Sequence, residues 1–146
     1  SIHIWDTAGQ ENFRSITSHF LKKSNIVVFV YDITKKATFL ELDYWINLVN
    51  QTLENDKLIF GIAGNKIDLF DNNEVDRKEG EEEAKKIGAK FVEVSAKESP
   101  KLFRDYINEL IKDFITKENI KIKKFEYIDR KDMPKKNKKN DSKTCC

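Results

Sequence analysis

Two uninterrupted apolar runs constrain this chain most: residues 26–31 (IVVFVY) and residues 58–63 (LIFGIA). Neither alternates apolar with polar side chains. A strand that is apolar on both faces has to be covered on both, as in a parallel sheet with helices above and below. Residues 91–94 are predicted to form a third, shorter strand. Between these runs the apolar period becomes helical. Phe39, Leu42, Tyr44, Trp45, Leu48, Val49 and Leu53 share one helical spacing. Leu102, Phe103, Tyr106, Ile107, Leu110, Ile111, Phe114 and Ile115 share another, and Pro100 suits the first turn of that helix. Residues 79–87 predict a short, highly charged helix closed by Gly88. Residues 1–5 alternate and predict a strand ending at Asp6. Residues 7–10 read as a turn, residues 11–23 as patchily helical, and residues 71–73 as a loop. Strands alternating with helices give a three-layer α/β architecture with a mainly parallel sheet.

The 146 residues suffice for one domain with a single core. No apolar run approaches the roughly 20 residues needed to span a bilayer. Residues 1–5 resemble neither a signal peptide nor a transit peptide. Charge divides the chain. Residues 1–116 carry 16 Lys and Arg against 20 Asp and Glu, whereas residues 117–146 carry 11 against 5. An acidic body with a basic tail points to an arm for a membrane surface or a nucleic acid. Few aromatics interleave with the tail's lysines, which disfavours nucleic acid. From Asp132 onward the composition, rich in Lys and Asn, predicts a linker without a packed core. Both cysteines, Cys145 and Cys146, are adjacent and cannot cross-link the fold. The expected organisation is a globular unit over 1–116 and a flexible basic tail over 117–146.

In an open parallel sheet, ligands bind at the carboxyl ends of the strands. Three polar segments fall there. The first is Trp5-Asp6-Thr7-Ala8-Gly9-Gln10-Glu11. An Asp directly after a strand suits Mg²⁺, usually through water, because this hard cation keeps much of its hydration. A Gly lets a backbone N–H approach a phosphate oxygen, and a neighbouring Gln suits the orientation of an attacking water. A plain Asp-Gly turn after a strand is the alternative. The second segment is Asn65-Lys66-Ile67-Asp68. A carboxylate accepts two parallel N–H bonds from an amidine edge such as N1–H and the 2-amino group of guanine, a pair adenine does not offer there. Asn65 suits either a bridge between loops or a contact to the base, and the Lys66 stem suits covering its face. A surface loop is the alternative. The third is Ser95-Ala96-Lys97, where a backbone N–H suits the guanine 6-oxo group and where Ser95 also reads as a helix N-cap.

In this order and at these strand ends, the segments resemble the small GTPases of the Ras superfamily, over residues 1 to about 116. Within it the resemblance is to the Rab family. It rests on residues 5–11, on Phe13-Arg14-Ser15-Ile16-Thr17, on Tyr31-Asp32-Ile33-Thr34 and on the Cys-Cys terminus. The resemblance implies a Ras-type, P-loop-NTPase-like G domain that binds GTP and GDP with Mg²⁺. It implies that Asp6 stands on the metal side, that Gly9 senses the γ-phosphate and that Gln10 positions water for hydrolysis. Asn65, Lys66, Asp68, Ser95, Ala96 and Lys97 would bind the nucleotide. Trp5 and Phe20 match exposed aromatic positions at which Rab proteins meet effectors; core packing is their alternative. Cys145 and Cys146 resemble a Rab prenylation signal, with two geranylgeranyl groups and the basic tail anchoring the chain to membrane. Exchange factors, GTPase-activating proteins, effectors and prenyl carriers are the implied partners. The cytoplasmic face of intracellular membranes is the implied location, and vesicle traffic the implied role.

The five glycines, at 9, 61, 64, 80 and 88, leave no match to the phosphate-binding loop G-x-x-x-x-G-K-[ST]. The resemblance then implies a chain without the first strand, phosphate loop, first helix and second strand of the family. A chain of that extent is expected to bind nucleotide weakly and to lack hydrolysis. The alternative function is a non-hydrolysing remnant that serves as a protein-interaction module.

Overall fold

β1 (Ile26–Asp32), β2 (Ile59–Asn65) and β3 (Lys90–Val94) pair in parallel in the order β1-β2-β3. The computed structural model describes residues 2–7, 21, 22, 24–52 and 58–119. The helices are α1 (Lys36–Leu40), α2 (Leu42–Thr52), α3 (Arg77–Lys86) and α4 (Pro100–Lys117), with a 3-10 turn over Ile67–Asn72. The predicted doubly covered strands are present. On one face of the sheet Phe29, Tyr31 and Ile62 pack with Leu42, Ile46 and Val49 of α2 and Ala84 of α3. On the other face Ala63, Val28 and Val92 pack with Tyr106, Leu110 and Ile107 of α4. Ile62 and Ala63 are both fully buried, one toward each layer.

Close approach dictates one residue in the middle of β2. A Cβ at Gly61 would overlap Tyr106 Oη and come within 2.9 Å of Leu110. Glycine is required so that α4 can lie directly on the strand. Tyr106 uses the space well: its hydroxyl donates to Lys90 O at 2.8 Å and lies 3.2 Å from Ile62 O. Tyr31 differs. It is 2% exposed, its ring meets Phe39 edge-on, and its hydroxyl has no hydrogen-bond partner among the described residues. Burial pushes that hydroxyl's pKa up, and Glu93 and Glu79 add to the effect.

Five expectations are corrected. Residues 2–7 carry no strand, and Ile2, Ile4 and Trp5 are exposed. Alternation provides an apolar face, but a strand also needs a paired backbone, and among the described residues none pairs with this segment. The helix expected through Phe39 and Val49 is two segments meeting at Glu41, and Tyr44 is exposed. The loop expected at 71–73 is largely the 3-10 turn, which ends at Asn72. Double coverage of β1 stops short of Val30, which is 54% exposed, because α4 lies mainly over β2 and β3. α3 begins two residues earlier than expected, where the Glu79 carboxylate accepts from Asp76 N–H at 3.0 Å. The expectations for Gly9, Gln10, Phe20, the helix over 11–20, Leu53, the tail from residue 120, Cys145 and Cys146 lie outside the described residues.

The two tyrosines separate burial from bonding. Tyr106→Phe is expected to cost about 1 kcal/mol of stability, whereas Tyr31→Phe is neutral or stabilising, since it removes a buried hydroxyl that bonds nothing among the described residues. Urea denaturation of the two variants beside the parent checks this ordering.

Candidate functional site

Register brings the site together. Asp32 of β1 stands opposite Asn65 of β2, and Asn65 opposite Val94 of β3. The three strands therefore end side by side, and the segments after them emerge on one edge. A cleft of about 290 Å³ opens there, lined by Asn65, Lys66, Asp68, Leu69, Ala96 and Lys97. Five of these six are residues the sequence singled out.

Asn65 bridges the two loops. Its Oδ1 accepts from Lys66 N–H at 2.8 Å and from Ala96 N–H at 3.0 Å. Of the two readings open for this side chain, the bridge is the one formed. It also uses the Ala96 N–H. Lys66 has a left-handed backbone, φ 74° and ψ 34°, unusual for a side chain with a Cβ. Its carbonyl accepts from Leu69 N–H at 2.9 Å, which closes the turn into the 3-10 segment.

Ser95 is 1% exposed and joins both loops from below. Its Oγ donates to Asp68 Oδ1 at 2.6 Å and accepts from Glu98 N–H at 2.9 Å. Ser95 is not the helix N-cap it was expected to be, since Ser99 caps α4; its hydroxyl instead closes a turn over residues 95–98 while it holds Asp68. The hydroxyl fixes one carboxylate oxygen of Asp68, and among the described residues Oδ2 has no hydrogen-bond partner. A carboxylate held at one oxygen and open at the other lines the cleft together with Lys97. This edge presents acceptor and donor in one plane-sized cleft, which suits a flat heterocycle with donors and an oxo group.

Two participants escaped the sequence reading. Asp32 holds the Lys66 ammonium, Nζ to Oδ2 2.7 Å, and its Oδ1 accepts from the Thr34 N–H at 3.0 Å and the Thr34 hydroxyl at 2.7 Å. Burial pushes the Asp32 carboxyl up, but Lys66 and the two Thr34 donors outweigh it and hold the group below the usual carboxylate range. The signal was available: Asp32 follows an apolar run directly, and Asn65 follows one with only Gly64 between. Leu69 lines the cleft and is 42% exposed, an apolar residue in a polar turn with no periodicity to mark it.

The remaining described candidates do not join this cleft. Trp5 is 58% exposed, so its core-packing alternative is not what the structure has. Asp6 is an exposed carboxylate in the same segment. Among the described residues no group of three His, Cys, Asp or Glu is placed to hold a metal ion. One carboxylate fits the donor chemistry of Mg²⁺, which keeps several waters and takes further ligands from phosphate oxygens, but it does not by itself form a site.

Comparison with known proteins agrees with this geometry. A family model described as the Ras family matches residues 1–116. Over 94 residues the chain is 46% identical to Ras-related protein Rab-18-B of Danio rerio, covering 64% of this chain and 45% of that protein. It is 37% identical over 115 residues to Ras-related protein Rab-12 of Mus musculus, covering 76% of this chain and 47% of that protein. Human Rab-12 matches to the same extent. The chain spans about half the length of the curated relatives it matches.

The Asp32 ion pair sets a pH dependence. Its folded pKa is depressed, so its stabilisation is full above the ordinary value of 3.8 and is lost as pH falls through the lower folded value. Asp32→Asn is expected to cost about 1 kcal/mol near pH 7. That difference from the parent should shrink as the pH falls below about 4, as read by urea denaturation across pH.

Proposed function

Since the chain belongs to the Ras family, we propose that it is the base-recognising part of a Rab-type switch that binds GTP and GDP and works in membrane traffic. The observation that carries this reading is the single cleft in which Asn65, Lys66, Asp68, Ala96 and Lys97 meet at the carboxyl ends of the strands. Asp68 Oδ2 accepts from the guanine edge while Ser95 holds Oδ1 still. The Lys66 stem covers a face of the base, and a backbone N–H of residues 96–97 meets the 6-oxo group. Adenine would leave the carboxylate facing no pair of donors, and an unpaired buried acceptor is a costly outcome.

Asp6 would hold Mg²⁺, and Gly9 and Gln10, which follow it in sequence, would serve the γ-phosphate. The metal would supply charge neutralisation on the phosphates. Gln10 orients the water that attacks the γ-phosphate, giving GDP and phosphate. Loss of the γ-phosphate releases the switch segment, and Trp5 and Phe20 present that change to effectors. Exchange factors and GTPase-activating proteins set the cycle. Geranylgeranyl groups on Cys145 and Cys146, delivered by a prenyl carrier, hold the protein to the cytoplasmic face of intracellular membranes, with the basic tail against anionic headgroups.

Replacing Asp68 by Asn exchanges one acceptor for a donor. Xanthine carries a 2-oxo group where guanine carries the 2-amino group, so the amide matches xanthine. In the intact protein, Asp68→Asn is expected to lower GDP affinity by at least about 100-fold while xanthosine diphosphate affinity rises. Competition binding with the two diphosphates checks it. An unchanged preference for GDP would remove Asp68 from base recognition.

A further inference from the structure

Asp32 belongs to none of the three segments from which the base site was read, yet it fixes one of the side chains that line the cleft. Lys66 is held at both ends. At the backbone, its left-handed conformation is kept by Lys66 N–H to Asn65 Oδ1 at 2.8 Å and Leu69 N–H to Lys66 O at 2.9 Å. At the tip, Nζ is 2.7 Å from Asp32 Oδ2. The anchor is itself rigid. The Asp32 carboxylate takes two donors from Thr34, its N–H donates to Thr38 Oγ1 at 3.0 Å, and its strand position is locked opposite Asn65. The Asp32 side chain is 12% exposed, against 45% for Lys66, so the acid is the fixed partner and the lysine the one being placed.

We propose that Asp32 is a positioning residue for base recognition: it draws the Lys66 ammonium to the end of β1, so that Lys66 offers the cleft its four-methylene stem rather than its charge. This rests on reading the cleft as a guanine site. A lysine stem rotates about four bonds, and ordering it only on binding would weaken the complex. Drawn to Asp32 beforehand, the stem is a pre-set apolar wall on which a heterocycle face can lie. The left-handed backbone at Lys66 fixes the root of that stem as the ion pair fixes its tip.

The test is a double-mutant cycle in the intact protein, with Asp32→Asn, Lys66→Met and the pair, read by GDP affinity with ADP as the control. Met keeps an unbranched apolar stem and has no ammonium to place. Asp32→Asn is expected to weaken GDP binding about tenfold in the parent and less than twofold in the Lys66→Met background. Its effect on melting temperature through Thr34 should remain in both backgrounds. Equal losses of affinity in the two backgrounds, or no loss in the parent, would overturn the positioning role and leave the base site standing. A parent that does not distinguish GDP from ADP would overturn the site reading and this inference with it. Should Asp32→Asn fail to fold, Asp32→Glu keeps the charge and runs the same cycle. A two- to threefold loss in the parent and none in the Lys66→Met background is then expected, and equal losses again overturn the role.

Discussion

The in-register parallel pairing of three strands is the constraint on which the rest of this structure depends. Asp32, Asn65 and Val94 stand abreast because β1, β2 and β3 are paired without offset at their ends. A shift of one residue in β2 would turn Ile62 and Ala63 to the opposite layers and carry Asn65 to the wrong face. The fit of the two layers forbids that shift. Ile62 belongs to the α2 and α3 side, Ala63 to the α4 side, and Gly61 lies where Tyr106 and Leu110 leave no room for a Cβ. Packing in the middle of the sheet thus fixes the chemistry at its edge.

From that edge, short-range bonds do the rest. The Asn65 amide oxygen gathers two N–H groups from two different loops, and the Ser95 hydroxyl ties Asp68 to the turn before α4. Connections on the far side of β1 brace the same corner. Ile33 N–H donates to Asn65 O, Ile33 O accepts from Glu74 and Val75, and the Lys36 ammonium pairs with Glu79 at the start of α3. The corner is overdetermined, which is the condition under which a left-handed lysine persists. The polar groups of this corner are already held in place, so little ordering would remain for a ligand to impose.

The parts of this chain that sequence revealed share a physical reason. Residues 26–31 and 58–63 were readable because burial on both faces leaves no room for polar alternation. Asn65, Lys66, Asp68 and Ser95 were singled out because their segments follow the strands as a set that resembles the small GTPases; each segment alone fits a surface loop or a cap as well. Ile2, Ile4 and Trp5 misled because alternation reports one face of a strand and says nothing of a neighbour to bond. Asp32 was missed although it too follows an apolar run, since its role is to hold Lys66 and it has no direct place in the cleft lining. Leu69 was missed because a lone apolar residue in a 3-10 turn has no period. Val30, expected under cover, is exposed because helix placement over a sheet is decided by the whole layer and not by the strand.

The most direct measurement is chemical-shift mapping of the nucleotide-free intact protein with guanosine and with adenosine, ligands that differ at the base and carry no phosphate. The account predicts that guanosine shifts the backbone resonances of Asn65, Lys66, Asp68, Leu69, Ala96 and Lys97 and that adenosine at the same concentration leaves them in place. Equal shifts from both nucleosides, or guanosine shifts confined to residues away from this edge of the sheet, would contradict it.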